Sequence, residues 1–427
     1  MTAPPLTGER LIDVMTPEER DRARRVESVL PALREAAARA DADGEFPRGH
    51  IDLLREAGLL GLVVPEEYGG LGGGLRDLAA ATYAMGTACP STALAYFFHN
   101  TSASRGLLPL EAIKAGLFEE TEIPEVTAFA ERVLRTMSGG SWLGNFASES
   151  VKSSGANISI ATTAHRTEKG WRLDGEKSFG CATGIADTYL VTARLDGVTG
   201  LDGLALFLVP REAPGVSSRE PWNGIGMRGS ANHGIRLDGV TVADEDALTV
   251  PGAFTRMLKV SRGSFVGNQL AIAAVYTGAA QAVYDHTLDR LTTRTFADTG
   301  APIASSPMHQ VLIGDMTQRL ETAYLWLRRQ LELETSEPPL RPKPEVFSQW
   351  RLGKGSVTEA CFDVALGALK ACGTSGATLD GLIGRTLRDL AMGLVMTFPA
   401  ERGRLEVAKL ATDERANALF ATVETGR

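Results

Sequence analysis

The sequence holds only four cysteines, Cys89, Cys181, Cys361 and Cys372, with no CxxC pair and no metal-ligand spacing. That excludes a disulfide-stapled scaffold and a thiolate metal site, and it fits reduced, mostly buried thiols. Long apolar runs are missing too. The stretches around 270–275 and 390–398 are too short or too interrupted to cross a bilayer of about 30 Å, so no membrane span is expected. The first residues carry acids early and show no apolar core before a small-residue cleavage site, so neither a signal nor a transit peptide is indicated and a cytoplasmic protein is expected. No block of one charge sign occurs. The 44 Lys+Arg and 52 Asp+Glu, net −8, are spread along the chain, and nucleic acid is not an expected partner.

What is present is length and a change of periodicity. A chain of 427 residues with 44% hydrophobic composition can bury a large core in two or three domains. Between about residues 17 and 135 apolar residues recur at helical spacing, as at Ile51, Leu54 and Leu60, with a glycine-rich loop at 64–74 that must turn tightly beside a packed helix. From about Trp142 to Val250 the pattern changes to short β-branched runs at 158–163, 171–173, 189–193, 204–209 and 235–242. Helical periods then return at 264–292, 307–334 and 346–371, lengths suited to a four-helix bundle. The first of these is rich in Ala and Gly, which predicts close approach to neighbouring helices. The expected fold class is α+β multidomain: an N-terminal α-helical domain (1–138), a middle β-barrel or sandwich domain (139–250) and a C-terminal four-helix bundle (251–427).

Particular segments sharpen this reading. HIDLLREAGLLGLVVPEEYGGL at 50–71, GEKSFGCATG at 175–184, GMRGS at 226–230 and KACGTSG at 370–376 together resemble the acyl-CoA dehydrogenase family over nearly the whole chain. The resemblance implies FAD as cofactor, or FMN if the chain is a monooxygenase, and it implies the residues that touch it. Phe146, Ala147 and Ser148 would meet the flavin edge, with the Ala147–Ser148 amide and hydroxyl near N5 and O4. Phe179 would lie against the isoalloxazine ring, beside Cys181. Arg294, Phe296, His309, Gln310, Lys370, Gly373 and Thr374 fall where the family contacts FAD, often across a subunit interface, so a homo-oligomer, dimer or tetramer, is implied. Lys370 stands where the family usually has Gln, and Val151 to Gly155 replaces its Gly-rich continuation. On the residues alone, Gly373 and Gly376 admit a close phosphate and Arg294 a pairing charge, but a glycine cluster after a helix is more often a C-cap.

The family removes an α-proton from an acyl thioester with a Glu while a hydride leaves to flavin N5. Here the commoner base position falls on Thr397 and the second on Asn268, and neither is a carboxylate. Glu401, four residues after Thr397, is the nearest acid; as a first-turn residue after Pro399 it equally reads as a solvated partner of the helix dipole. Among the six histidines, His99 is the one to suspect of reaching a substrate pocket, with a satisfied partly buried role as the alternative. Three readings follow. The first is oxidation of a small-molecule acyl thioester, CoA- or carrier-protein-bound, at Cα–Cβ, with an electron-acceptor flavoprotein as partner. The second is a flavin monooxygenase, nitrososynthase-like, that hydroxylates N or C through a C4a-(hydro)peroxyflavin and is served by a flavin reductase. The third is a non-catalytic partner subunit of a Glu-bearing paralogue. No metal is expected in any of them.

Overall fold

The computed structural model describes residues 5–150, 160–261, 269–396 and 399–412. Six helices open the chain: α1 (Pro17–Asp43), α2 (Gly49–Glu56), α3 (Leu75–Ala88), α4 (Pro90–Thr101), α5 (Ser104–Lys114) and α6 (Ile123–Ser138). Helix α1 starts at a capping box, in which the Thr16 hydroxyl accepts from the Glu19 amide and the Glu19 carboxylate accepts from the Thr16 amide; it stops at Gly44, φ +70°. In the loop between α2 and α3, a Cβ on Gly70 would collide with the Val64 carbonyl, so the tight turn there requires glycine.

Among the described residues eight strands follow: β1 (Leu143–Phe146), β2 (Thr163–Thr167), β3 (Gly170–Gly180), β4 (Thr188–Leu195), β5 (Leu204–Pro210), β6 (Val216–Ser218), β7 (His233–Val242) and β8 (Ala247–Leu248). They form one sheet in the order β6-β7-β3-β2-β4-β5-β8, with β1 added in parallel to β4. The run expected at 158–163 is shifted. Its residues 160–162 are not strand, β2 begins at Thr163, and 158–159 lie outside the described residues.

After α7 (Ala253–Val260) come α8 (Gln269–Thr293), α9 (Pro307–Thr335), α10 (Lys343–Cys372) and α11 (Leu382–Val395), which pack as a four-helix bundle, and α12 (Ala400–Thr412) lies against α10. Among the described residues no helix is long and apolar enough to cross a membrane.

The bundle joins the N-terminal helices along the α3–α8 crossing. Residues 271–280 of α8 and nearly all of α3 are buried, the signature of helices covered on every side. At the crossing the helices touch backbone to backbone. A Cβ on Gly278 would overlap the Tyr83 carbonyl oxygen, one on Gly86 would lie 2.5 Å from the Val275 oxygen, and Thr82 Oγ1 donates to the Ala271 oxygen at 2.9 Å.

A second junction joins all three parts of the chain. Asp389 of α11, 2% exposed, accepts the Met227 amide at 2.6 Å from the loop before β7. Gly226 packs so closely on Arg388 that a Cβ would overlap its carbonyl. Arg388 in turn pairs with Asp41 of α1, whose carbonyl accepts from Arg228 Nε at 2.8 Å. Burial, only partly offset by the Met227 amide, pushes the Asp389 carboxyl up to about 7.

Two outcomes are expected. Gly278→Ala forces α3 and α8 apart and lowers stability by about 1–3 kcal/mol, read as a fall in Tm. Because the folded pKa of Asp389 lies above its ordinary 3.8, the native state binds the extra proton, so its contribution to stability is full at low pH and falls as pH rises from about 4 to 7. Asp389→Asn should flatten that segment of the Tm-versus-pH curve; an unchanged slope would rule the group out as its source.

Candidate functional site

One cluster lies at the edge of the sheet. Beyond β1, Ala147 is half-buried and Ser148 exposed, and the Ser148 carbonyl accepts the Ser178 amide of β3 at 3.0 Å. The next residue of β3, Phe179, is 47% exposed and meets Trp222 edge-on, ring centroids 5.6 Å apart. A half-exposed aromatic ring beside the Ala147–Ser148 segment suits a planar heteroaromatic ring.

A buried ion pair holds this edge. Lys177 Nζ donates to Glu149 Oε1 at 2.6 Å, with the two side chains 0% and 2% exposed. Glu149 also accepts from the Thr162 hydroxyl at 2.6 Å and from the amides of Ala161 and Thr162, while Lys177 donates to the Thr192 carbonyl. Burial opposes ionisation of Glu149, but the bonds from Lys177 and Thr162 outweigh it and hold the carboxyl below its ordinary range.

Next to it, three non-glycine residues take positive φ: Ala182 (+57°), Met227 (+52°) and Ala231 (+46°). They lie in two turns tied together by the Ala182 amide to the Ser230 carbonyl and the Thr183 amide to the Ala231 carbonyl, both 3.0 Å. Such conformations cost about 1–3 kcal/mol each and persist where the surroundings impose them, which is common at ligand clamps.

Two residues expected at this edge turn away from it. Phe146 is fully buried, packed edge-on against Tyr189 at 4.8 Å and beneath Gly180, where a Cβ would strike its ring. Cys181 is 2% exposed, and burial pushes its thiol up. Phe146 at the end of β1 and Cys181 in the turn after β3 both point into the core, so only their backbone remains available at this edge.

The second cluster lies at one end of the bundle. Arg290 in the last turn of α8 donates to Ser375 Oγ at 2.5 Å, which sets Arg290 and Arg294 beside the 373–376 turn. Burial raises the Cys372 thiol there, and the positive charges of Arg290 and Arg294 oppose that rise. Gly373 has φ +59° and ψ −155°, and its amide caps α10 by bonding to the Leu369 carbonyl. It is therefore a C-cap, and the space before it is open, with nothing within 4 Å of a Cβ.

Around this turn, Arg294, Gln310, Lys370 and Thr374 are exposed, and Phe296 is half-buried with its amide bonded to the Ala301 carbonyl. His309 keeps a buried Nδ1 with no hydrogen-bond partner among the described residues. Two guanidinium groups, an open glycine turn and an unsatisfied imidazole nitrogen suit the phosphate and polar tail of a nucleotide-like cofactor, and the aromatic edge of the sheet suits its ring. These residues fit a flavin.

The two base positions, Thr397 and Asn268, lie outside the described residues. Glu401 is exposed in the first turn of α12, as a dipole partner would be. His99 is fully buried and satisfied: its Nδ1 accepts the Leu143 amide at 2.9 Å and its Nε2 donates to the Leu60 carbonyl at 2.8 Å. Burial lowers it to about 4, so it is a neutral structural histidine.

Sequence reasoning missed Lys354 of α10, 2% exposed, whose Nζ donates to the Gly393 carbonyl at 2.6 Å and the Met396 carbonyl at 2.7 Å. It thereby caps α11 and fixes the peptide that leads into Thr397. Burial lowers its amine to about 8. The available signal was a lone Lys among small residues in a long helical period.

Comparison with known proteins agrees with this arrangement. Three acyl-CoA dehydrogenase domain families match in order: the N-terminal domain over residues 16–109, the middle domain over 146–240 and the C-terminal domain over 270–397. The probable acyl-CoA dehydrogenase YngJ of Bacillus subtilis is 29% identical over 87% of this chain and 92% of its own. L-evernosamine nitrososynthase of a Micromonospora species is 31% identical over 66% of this chain and 64% of its own. The structure of KijD3 with FMN and a dTDP-3-amino sugar superposes with a TM-score of 0.78 at 25% identity, covering 97% of this chain and all of KijD3. With helical, β and helical parts in the family's order and each matched by its own domain, the chain belongs to the acyl-CoA dehydrogenase family.

Proposed function

We propose that this family member is a flavin-dependent monooxygenase, using FAD or FMN, that oxidises nitrogen, carbon or sulfur in a small molecule. One observation supports the reading: Glu401, the nearest acid to Thr397, faces solvent, while Thr397 and Asn268, the residues the resemblance aligns with the family's base positions, are not carboxylates. Oxygen transfer to a heteroatom needs no carboxylate poised at a C–H bond. Likeness to a nitrososynthase and to KijD3, whose structure holds FMN and an amino sugar, supports it. Bound flavin would supply the redox equivalents, and in this reading a flavin reductase would renew them.

The chain's own residues have separable roles. Phe179 presents a face to the ring, and Ala147 and Ser148 offer an amide and a hydroxyl to its polar edge. Glu149–Lys177 keeps those segments in register. Arg294, His309 and the Gly373–Thr374 turn take the phosphate end, with Phe296, Gln310 and Lys370 around it. These two clusters lie on different domains, so a homo-oligomer, dimer or tetramer, in which one copy completes the other's site is part of the proposal. Met308 and Val311, 74% and 72% exposed on α9, offer it an apolar contact. The domain borders we assign, 138/139 and 250/251, rest on the change from helix to strand and back.

A second reading has its own support. YngJ and a cyclohex-1-ene-1-carbonyl-CoA dehydrogenase of Geobacter metallireducens match over 87% and 86% of this chain, which favours oxidation of an acyl thioester with an electron-acceptor flavoprotein as partner.

The test uses flavin-loaded protein. Anaerobic addition of acyl thioesters should leave the oxidised band intact, and reduced flavin with oxygen and a panel of amines and thioethers should yield oxygenated product. Bleaching by a thioester would overturn the monooxygenase reading and establish the second. Phe179→Ala and Arg294→Ala should each weaken flavin binding about tenfold in a fluorescence titration, the loss of an aromatic contact or a charge-assisted hydrogen bond. Glu401→Gln should change turnover by less than about twofold, because a solvated carboxylate contributes little to a buried step.

A further inference from the structure

Three cations are buried among the described residues: Arg105, Lys177 and Lys354. Lys177 has Glu149, and Lys354 has two carbonyl oxygens. Arg105 has neither. At 7% exposure, its one side-chain hydrogen bond among the described residues runs from Nη1 to Ser104 Oγ at 3.3 Å. Its Cζ lies 5.3 Å from the centroid of Phe254, a contact that does not use the in-plane N–H groups. Burial lowers the group to about 10, so it stays charged at neutral pH. An unpaired buried charge costs several kcal/mol, far more than one long hydrogen bond and one ring contact return.

The rest of the chain offers few anions. The stretches outside the described residues carry acids only at Asp413, Glu414 and Glu424, apart from the terminal carboxylate. The backbone beside it is tightly packed: Gly106, the next residue, lies so close to α6 that a Cβ would sit 2.8 Å from the Ala130 carbonyl. Arg105 thus lies at the α4–α5 corner against Phe254 of α7. On the preceding helix α4, the buried Oδ1 of Asn100 also has no hydrogen-bond partner among the described residues.

We infer that Arg105 is an internal anion-binding residue that receives the carboxylate or phosphate of a small-molecule ligand, the anionic end of the substrate. Only the word substrate rests on the proposed function. The anion site stands or falls on binding, measured without turnover.

The experiment compares flavin-loaded wild type with Arg105→Met and Arg105→Lys by thermal unfolding, in inorganic phosphate or succinate against chloride at equal ionic strength. Excluded anions stabilise any protein, so the readout is the difference between variants. Wild type should show a saturable rise in Tm with at least one of the two anions, Arg105→Lys a smaller rise, and Arg105→Met only the background. Arg105→Met should also have the higher Tm in chloride, because it removes an uncompensated charge. Equal rises in wild type and Arg105→Met, or no rise above background in wild type, would overturn the inference. So would a lower Tm of Arg105→Met in chloride, which would make the residue structural. The full-length triple variant Asp413→Asn, Glu414→Gln, Glu424→Gln should behave as wild type; a rise seen only in that variant would assign the place to the chain's own tail.

Discussion

The architecture depends on a backbone-to-backbone crossing. Helices α3 and α8 meet where Gly86 and Gly278 remove the side chains that would hold them apart, and Thr82 donates across the gap. Glycine inside a helix costs roughly 0.5–1 kcal/mol against alanine, so two of them are a real local penalty. The close approach offsets it by letting Tyr83, Met85, Val275 and Tyr276 pack without voids. Through this crossing the N-terminal helices and the bundle share one core. The far end of α8 then delivers Arg290 and Arg294 to the 373–376 turn.

Buried polar groups act differently, by fixing register. The hydrophobic core specifies that the sheet and helices meet, but apolar contacts are non-directional and tolerate small slides. Glu149–Lys177, Asp389 with the Met227 amide, and Arg388–Asp41 each satisfy a charge or carboxyl at one relative placement of two segments. All lie near the turns in which Ala182, Met227 and Ala231 are held at positive φ. The strain and the polar ties belong together, since a strained loop keeps its shape only where its neighbours leave it no alternative.

The two buried lysines and Arg105 show how the same residue class is used in opposite ways. Lys177 and Lys354 have their donors met by the chain, so they stabilise particular backbone positions. Arg105 differs: among the described residues its side chain has only a long hydrogen bond to Ser104 and the Phe254 ring.

The sequence by itself determined the class of fold. Period changes at about 138 and 250 separate helical, β and helical segments, because side-chain spacing of 3.6 or 2 is a local property that survives without coordinates. It also determined the close helix crossing, through the Ala/Gly composition of α8, and the absence of a carboxylate at positions 397 and 268. Tertiary structure decided the rest. Whether Phe179 is exposed while Phe146 and Cys181 are buried depends on which face of β1 and β3 the neighbouring strands cover. That His99 bonds to Leu60 and Leu143, that Lys354 has two carbonyl partners and that Arg105 has no anion among the described residues depends on segments tens of residues away. Periodicity records which side of an element is apolar. Only packing determines which polar atoms find a partner.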